Sequence, residues 1–151
     1  MKYRIRRVYL ENAADSRSLS ALDAALLPGC PETSENADAC AWWLCEAVDD
    51  EEDAEAVGYC GARLLRDEEP GAGAAYLARY GVVGGHGGRK LGQRLLRAAT
   101  RWARVVGARE LQTYTIDNPP SANALIAVGY RQFTSPWAIP GEGVSYWRLR
   151  L

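Results

Sequence analysis

The sequence predicts an α/β fold in which a mixed, mostly antiparallel central sheet of about seven strands carries flanking helices. Three apolar segments follow one another across short turns, at residues 41–48, 56–65 and 74–83, and this pattern predicts antiparallel strands. A long amphipathic segment, residues 89–106, then leads to another strand-like segment, residues 110–116. A strand–helix–strand step requires a right-handed crossover and a parallel pair, so the predicted sheet is mixed.

Shorter segments complete the order β-α-β-β-β-α-β-α-β-β. A strand is expected where charged and apolar side chains alternate, and a helix where leucines recur at helical spacing. The polar, turn-rich residues 30–38 predict a loop or a short second helix. The remaining predicted elements are a strand at residues 3–10, a helix from an N-cap at Asp15 or Ser16 through residue 26, a short helix at residues 122–128, and strands at residues 130–135 and 144–150.

Composition and charge restrict the function classes. The 151 residues suit a single domain, residues 1–151, and 25% of them are charged, which is ordinary for a soluble protein. The formal net charge of −1 gives no field that would attract nucleic acid or an anionic membrane, so neither is an expected partner. No apolar stretch reaches the length of a signal peptide core or a membrane span, and a cytoplasmic location is therefore expected.

The cysteines predict neither a metal site nor a disulfide framework. Cys30, Cys40, Cys45 and Cys60 contain no C-x-x-C pair, and His86 is the single histidine. The cysteines are expected to be small buried apolar residues, and no metal is expected.

A glycine-rich turn lies between the strand at residues 74–83 and the long helix. Four of the five residues 84–88 are glycine, and Arg89 and Lys90 follow at the predicted helix start. Such a turn directs unpaired backbone N–H groups and the positive end of the helix dipole at one point, which suits a phosphate group. The turn matches neither G-x-x-x-x-G-K-[ST] nor a Rossmann G-x-G-x-x-G, although a phosphate-binding module for nucleotides and a plain flexible turn remain alternatives.

The turn resembles the Q/R-x-x-G-x-G/A signature of the GNAT family of N-acetyltransferases. The matching segment is Gly87-Gly88-Arg89-Lys90-Leu91-Gly92, followed by Leu95-Leu96, and the second match is Asn118, Ser121 and Gly129-Tyr130. Two positions depart from the signature, because Gly87 replaces Arg or Gln and Lys90 replaces Gly. The resemblance covers nearly the whole chain and is strongest over residues 74–133.

The resemblance implies that the fourth and fifth strands splay apart and that acetyl-CoA binds in the opening as a cosubstrate. Pantetheine would bind the backbone of the fourth strand, where a bulge near Gly81 would direct an N–H at the thioester carbonyl, and pyrophosphate would bind the amides of the turn. Asn118 would hold the pantetheine arm or a water molecule. The implied CoA-binding residues are Tyr80, Gly81, Val82, Val83, Gly87, Gly88, Arg89, Lys90, Leu91, Gly92 and Asn118.

The implied reaction is direct attack of a primary amine on the thioester. The amine belongs either to a small molecule or to a peptide, and the sequence leaves both open. A homodimer is a possible assembly that the sequence does not decide. The family often has a Tyr as thiolate acid where this chain has Leu125, so Ser121, Tyr114 and Tyr130 are the candidate acids. Glu46 is a candidate base, against an ordinary strand carboxylate. The pairs Trp42–Trp43 and Trp137–Trp147 either line an acceptor pocket or pack in the core. The alternative function is a non-catalytic acyl-CoA binding or sensing module on the same fold.

Overall fold

The computed structural model describes residues 1–27, 34–49, 53–135 and 141–151. In these ranges the chain forms the strands β1 (Lys2–Val8), β2 (Ala41–Val48), β3 (Ala54–Leu64), β4 (Ala75–Val82), β5 (Glu110–Ile116), β6 (Arg131–Gln132) and β7 (Val144–Arg150). It also forms the helices α1 (Ala13–Leu26), α2 (Leu91–Val105) and α3 (Pro119–Val128), and a 3-10 helix at Ser34–Ala39. The predicted element order is confirmed, and the described part of the polar segment after α1 is a short helix.

The strands form one sheet in the order β1-β2-β3-β4-β5-β7-β6, and each neighbouring pair is antiparallel except β4 and β5. The helix α2 makes the crossover between these two parallel strands. β4 and β5 are paired only at their beginnings, through Ala75–Leu111 and Tyr76–Gln112, although both strands continue well beyond these pairs. The sheet therefore opens after Tyr76, which confirms the predicted mixed sheet and its splay.

A bulge in β4 lies just inside this opening. Consecutive residues of β3 pair with Arg79 and Leu77, so Ala78 is left out of the ladder. The bulge predicted near Gly81 thus lies three residues earlier, and Gly81 itself pairs with β3 in regular register. Gly81 is instead a position of close approach, since a Cβ there would lie 3.0 Å from a methyl carbon of Leu26 on α1.

The two faces of the sheet carry separate cores because side chains alternate along each strand. The larger core contains the apolar residues of α2 together with Trp43 and Trp147, and the smaller core contains those of α1 together with Trp42. The adjacent tryptophans of β2 therefore point to opposite faces, as predicted. Trp137 lies outside the described residues.

The start of α1 differs from its prediction. The N-cap is Asn12, whose side-chain oxygen accepts a hydrogen bond from the backbone N–H of Asp15 at 3.0 Å. Asp15 and Ser16, the predicted caps, lie inside the helix, and the Asp15 carboxylate is available for Arg6 of β1. Asn12 takes the cap position because its extended backbone and short side chain satisfy a first-turn donor.

The helix α2 and the strand β6 are also shorter than predicted. The helix α2 begins at Leu91 and not at Arg89, because Lys90 has a left-handed backbone, with φ of 57°, that cannot belong to the helix. The strand β6 contains only Arg131 and Gln132, and one further backbone hydrogen bond follows it, from Phe133 N–H. None of the described helices has both the length and the apolar character needed to cross a membrane.

Candidate active site

A cavity of about 480 Å³, called here the CoA cavity, lies in the opening between β4 and β5. Its walls come from the end of α1, the end of β4, the turn before α2, the first turn of α2 and the start of α3. The predicted residues that line it are Tyr80, Gly81, Val82, Gly87, Gly88, Arg89, Lys90, Leu91, Gly92, Asn118 and Ser121. Val83 does not line it, and its N–H donates to the carbonyl of Val57 at 2.8 Å. The fold thus brings the predicted residues together, while their binding of CoA stays a prediction.

Sequence reasoning missed the opposite wall of the CoA cavity. Leu26 and Leu27, at the end of α1, and Asn123 and Ala124, on α3, also line it. No sequence motif marks these positions, because they reach the cavity only through the packing of α1 and α3 against the opened sheet.

The turn between β4 and α2 exposes backbone and little else. Gly85 and Gly88 have left-handed φ angles of 91° and 75°. A Cβ placed on any of the four glycines of the turn would have no neighbour within 4 Å, so the main chain is open to an approaching group. The first turn of α2 has unpaired N–H groups, no acidic residue and no side-chain cap from Lys90. Bare amides beside Arg89 and Lys90 suit an anion.

Lys90 stands where the signature has glycine, and its φ of 57° gives the reason for that glycine. A left-handed conformation costs a residue with a side chain about 1–2 kcal/mol. Lys90 also continues the backbone path into α2, because its carbonyl accepts from the N–H of Arg94 at 3.1 Å. The chain therefore keeps the geometry of the signature at this position with a less favourable residue.

Gly92 lines the CoA cavity, and its lack of a side chain also allows β4 and α2 to pack closely. A Cβ there would lie 2.5 Å from the hydroxyl oxygen of Tyr80, a residue of the β4 end of the CoA cavity. Burial raises the pKa of Tyr80 to about 12, so this hydroxyl keeps its proton near neutral pH. A bulky residue at Gly92 would therefore disturb the packing of β4 on α2 in addition to any effect on a ligand, and Gly88 is the cleaner position for a test.

The turn is tied to the first strand through His86. The hydroxyl of Tyr3 and Nδ1 of His86 share a hydrogen bond of 2.9 Å, and the two rings meet edge to face. The guanidinium of Arg89 lies 5.6 Å from the centre of the Tyr3 ring, and Arg94 of α2 donates to the Tyr3 carbonyl at 3.1 Å. Since His86 also lines the CoA cavity, Tyr3 holds one wall of that cavity from outside it.

Among the candidate acids, Ser121 lies at the CoA cavity and the two tyrosines do not line it. The Ser121 N–H donates to the side-chain oxygen of Asn118 at 3.2 Å, so Asn118 caps α3 and fixes the start of the helix. Tyr114 lies on β5, opposite Tyr146 of β7. Tyr130 is fully buried, and burial raises the pKa of its phenol.

Glu46 lies among arginines. Its carboxylate accepts from Arg4 and from Nη2 of Arg6, the latter at 2.7 Å, while the same Arg6 nitrogen donates to Asp15 at 2.8 Å. Burial opposes ionisation of Glu46, but the hydrogen bonds from Arg6 and Arg4 outweigh it and hold its pKa below the usual range. This arrangement ties α1 to β1 and β2, and Glu46 is not among the residues lining the CoA cavity.

Comparisons with known proteins agree with this geometry. The acetyltransferase (GNAT) family model matches residues 5–130. The fold is similar to that of Arabidopsis thaliana NAA60 in complex with acetyl-CoA (15% identity, 99% of this chain and 100% of that chain covered, TM-score 0.73) and of a Bacillus subtilis acetyltransferase in complex with CoA (16% identity, 99% of each chain, TM-score 0.73). It is also similar to a chain of the NatC complex bound to Gag peptide and CoA (12% identity, 100% and 99%, TM-score 0.79).

Sequence identities this low establish a common fold, and no curated protein sequence matches the chain. The family model is independent of them and spans most of the 151 residues, including the turn and the helix that form the CoA cavity. The protein therefore belongs to the acetyltransferase (GNAT) family.

Proposed function

We propose that the protein transfers the acetyl group of acetyl-CoA to a primary amine by direct attack of the amine nitrogen on the thioester carbon. The observation that carries this proposal is the CoA cavity, which joins the unpaired edge of β4 to the uncapped start of α2. The reaction forms a C–N bond and breaks the C–S bond. The amine loses a proton and the departing thiolate gains one.

The acetyl-CoA donor would bind almost entirely through backbone groups. Beyond Tyr76 the β5 side of β4 has no strand partner among the described residues, so the backbone at the cavity end of β4, from Tyr80 to Val82, can pair with the amide groups of pantetheine. The pyrophosphate would bind the amides of residues 87–92, with Arg89 and Lys90 adding positive charge. Membership of the family and the acetyl-CoA and CoA complexes of two structural neighbours support this assignment.

Ser121 is our first choice for the group that protonates the thiolate. It lines the CoA cavity, whereas Leu125, one helical turn later at the family's usual acid position, is a buried apolar residue. A thiol has a pKa of about 8.5, so the leaving thiolate needs only modest help. Tyr114 remains the second candidate, since it lies on β5 beside the opening.

The reaction also needs a group that removes a proton from the amine. A free alkylamine has a pKa of about 10 and must lose its proton before it attacks. Glu46 stays a prediction for this role, but its low pKa and its two arginine partners favour the alternative of a structural carboxylate. Removal of the proton through water is consistent with the half-exposed residues of the CoA cavity.

The acceptor is a primary amine on a small molecule or a peptide. The neighbouring NatC structure contains a Gag peptide and a second NAA60 structure contains a bisubstrate analogue, so both proteins hold an acceptor-like group on the same fold. A cytoplasmic location and the absence of nucleic-acid or membrane partners remain predictions from the sequence.

Thiol release from acetyl-CoA, measured against a panel of primary amines, tests the proposal. A companion thermal melt with CoA should show stabilisation of about 2.7 kcal/mol at a hundredfold excess over the dissociation constant. Lack of any shift at millimolar CoA would reject CoA binding. Binding without turnover on any amine would favour a sensing module, and displacement of CoA by ATP would favour a nucleotide site.

A further inference from the structure

A second cavity, of about 160 Å³, lies beside the smaller core and is called here the Asp23 cavity. It is bounded by α1, the 3-10 helix and the strands β2 to β4. Its lining residues are Leu10, Ser16, Leu19, Ser20, Asp23, Asn36, Ala37, Cys40, Trp42, Tyr59, Ala78 and Arg79. None of these residues was singled out from the sequence as an acceptor-binding residue except Trp42.

The carboxylate of Asp23 forms one end of the Asp23 cavity, and only one of its two oxygens is hydrogen-bonded within the described residues. The Tyr59 hydroxyl and Nε of Arg79 both donate to Oδ1 of Asp23, at 2.7 and 2.8 Å. The described residues provide no hydrogen-bond partner for Oδ2. Tyr59 is fully buried and the Arg79 side chain is 5% exposed, whereas the Asp23 side chain is 40% exposed. Two buried donors thus fix the carboxylate and leave one oxygen able to accept.

The rest of the Asp23 cavity is mainly apolar. The Trp42 ring is stacked on the Tyr59 ring, with 6.4 Å between their centres and 4° between their planes. The indole N–H of Trp42 already donates to the Ala37 carbonyl at 3.0 Å, so this wall offers its flat face. Leu10 and Leu19 also line the cavity. A ligand here would need a short apolar stem.

The two cavities adjoin along the same stretch of α1 and β4. On β4, Arg79 of the Asp23 cavity and Gly81 of the CoA cavity lie two residues apart, on the face of the sheet that packs against α1. On α1, Asp23 lies about one helical turn, or roughly 5 Å along the axis, before Leu26 and Leu27 of the CoA cavity. A molecule whose amine reaches the thioester can therefore place its other end near Asp23.

Size and charge restrict what that end can be. At about 30 Å³ for each water-sized group, 160 Å³ holds about five non-hydrogen atoms. Asp23 and Arg79 are the charged residues among the described lining, and their charges cancel, so no net field selects the ligand. The selective feature is Oδ2 of Asp23, which requires an O–H or N–H donor.

We propose that the Asp23 cavity binds the part of the acceptor remote from the reacting amine, and that this part is a short apolar chain ending in a hydrogen-bond donor. The inference rests on the proposed transfer to an amine. It makes Asp23 a specificity-determining residue, because an acceptor without the donor would cover Oδ2 and displace water from it without supplying a hydrogen bond.

Three acceptors of equal size test the proposal: 1,4-diaminobutane, 4-amino-1-butanol and pentylamine. With the unaltered protein, at least one of the first two should have a kcat/KM about tenfold above that of pentylamine, since a hydrogen bond to a charged group supplies that much. The preference should disappear in Asp23→Ala. Asp23→Asn keeps an accepting oxygen but removes the negative charge. In this variant a preference for 4-amino-1-butanol should persist, whereas a preference for 1,4-diaminobutane should disappear because its second ammonium group has lost its charged partner. Asp38→Ala, at an exposed carboxylate of the 3-10 helix, should leave it unchanged.

Equal rates with all three amines, or a preference that survives Asp23→Ala, would overturn the inference. A CoA-induced thermal shift in each variant shows that the fold and the CoA cavity are intact. If CoA binds but no amine is acetylated, the proposed function fails, and calorimetric titration of the CoA-loaded protein with the same three compounds then decides the inference separately. The same order of affinities is required there, and equal affinities would reject it.

Discussion

The CoA cavity and the Asp23 cavity adjoin along one stretch of β4, yet they are built from different parts of the chain. The glycine-rich wall of the CoA cavity is main chain, with no atom near the position of a Cβ at residues 84, 85, 87 and 88. The Asp23 cavity is formed by side chains, and its carboxylate is fixed by Tyr59 and Arg79 from two different strands. A backbone wall suits a group common to every turnover, and a side-chain wall suits a group that varies.

The two cavities also differ in how much of the fold each one needs. The backbone wall needs only left-handed glycines and a helix start, which are local features of residues 84–92. The side-chain wall needs α1, β3 and β4 to be in place together. Mutations in the turn should therefore act on the donor, and mutations around α1 should act on the acceptor and on stability.

The largest expected effect is at the backbone wall. Gly88→Glu should raise the dissociation constant of CoA at least about 100-fold, because a like charge beside the phosphates costs several kcal/mol. Its matched control is Gly107→Glu, at a glycine with a similar φ of 82° and equally open surroundings at the other end of α2. Both variants should lose about 1–2 kcal/mol of stability to the left-handed backbone. Equal CoA affinity in the two, measured by calorimetry, would place the phosphate site elsewhere.

A second prediction concerns the proton donor at the CoA cavity. Ser121→Ala should lower kcat about 100-fold, the lower end for a general acid, while the CoA-induced thermal shift is unchanged. Tyr114→Phe should keep the kcat of the unaltered protein, since Tyr114 does not line the CoA cavity. Steady-state rates at saturating acetyl-CoA across a pH series give the answer. A loss in Tyr114→Phe alone would transfer the role to that residue, and no loss in either would point to water.

A third prediction tests whether the stability contributed by the carboxylates of Asp15 and Glu46 depends on pH. Hydrogen bonds from Arg6 lower the pKa of Asp15 despite its burial, and those from Arg6 and Arg4 lower that of Glu46. Their folded-state pKa values lie below the unfolded values of about 3.9 and 4.3, so this stability is present above about pH 5 and is lost as the pH falls through the folded values.

Glu46→Gln should therefore lower the free energy of unfolding at pH 7 by about 1–2 kcal/mol, a figure reduced because the arginines are partly exposed. The loss should shrink towards pH 3 in urea titrations. A loss of equal size at both pH values would show that charge is not its cause. An activity loss at pH 7 beyond the loss of folded protein would instead support Glu46 as the base.

Tyr3→Phe should weaken CoA binding about fivefold, the value of one hydrogen bond, by releasing His86 and the turn from β1. Tyr9→Phe is the control, because Tyr9 is 59% exposed and does not line the CoA cavity. The stability of both variants should change little. Equal CoA affinities would mean that the turn is ordered without Tyr3.

The smallest expected effect isolates backbone conformation. Lys90→Gly should raise the free energy of unfolding by about 1 kcal/mol, because it removes the left-handed penalty. Arg89→Gly, at a neighbouring residue without a positive φ, should bring no gain. Denaturant titration measures both. A gain in Arg89→Gly, or a loss in Lys90→Gly, would show that flexibility of the turn outweighs the local strain.

Much of the fold was predictable because its signals are local. The alternation of β1 and the amphipathic pattern of α2 each specify an element within a few residues, and the right-handed crossover rule orders the helix between its two strands. The bulge was misplaced because a glycine in a strand indicates either a bulge or a close approach. Only the contact with Leu26 shows that Gly81 is the second kind.

The sequence by itself determined the order of helices and strands along the chain and the backbone wall of the CoA cavity, since glycines, helix starts and strand periods act over short distances along the chain, and the opening after β4 was implied by the family resemblance. The tertiary structure alone decided which side chains meet. It paired Glu46 with arginines of β1, tied Tyr3 to His86, and brought Tyr59 and Arg79 to the carboxylate of Asp23. These contacts join residues that are far apart in the chain, and the packing of α1 against the sheet brings the last three together.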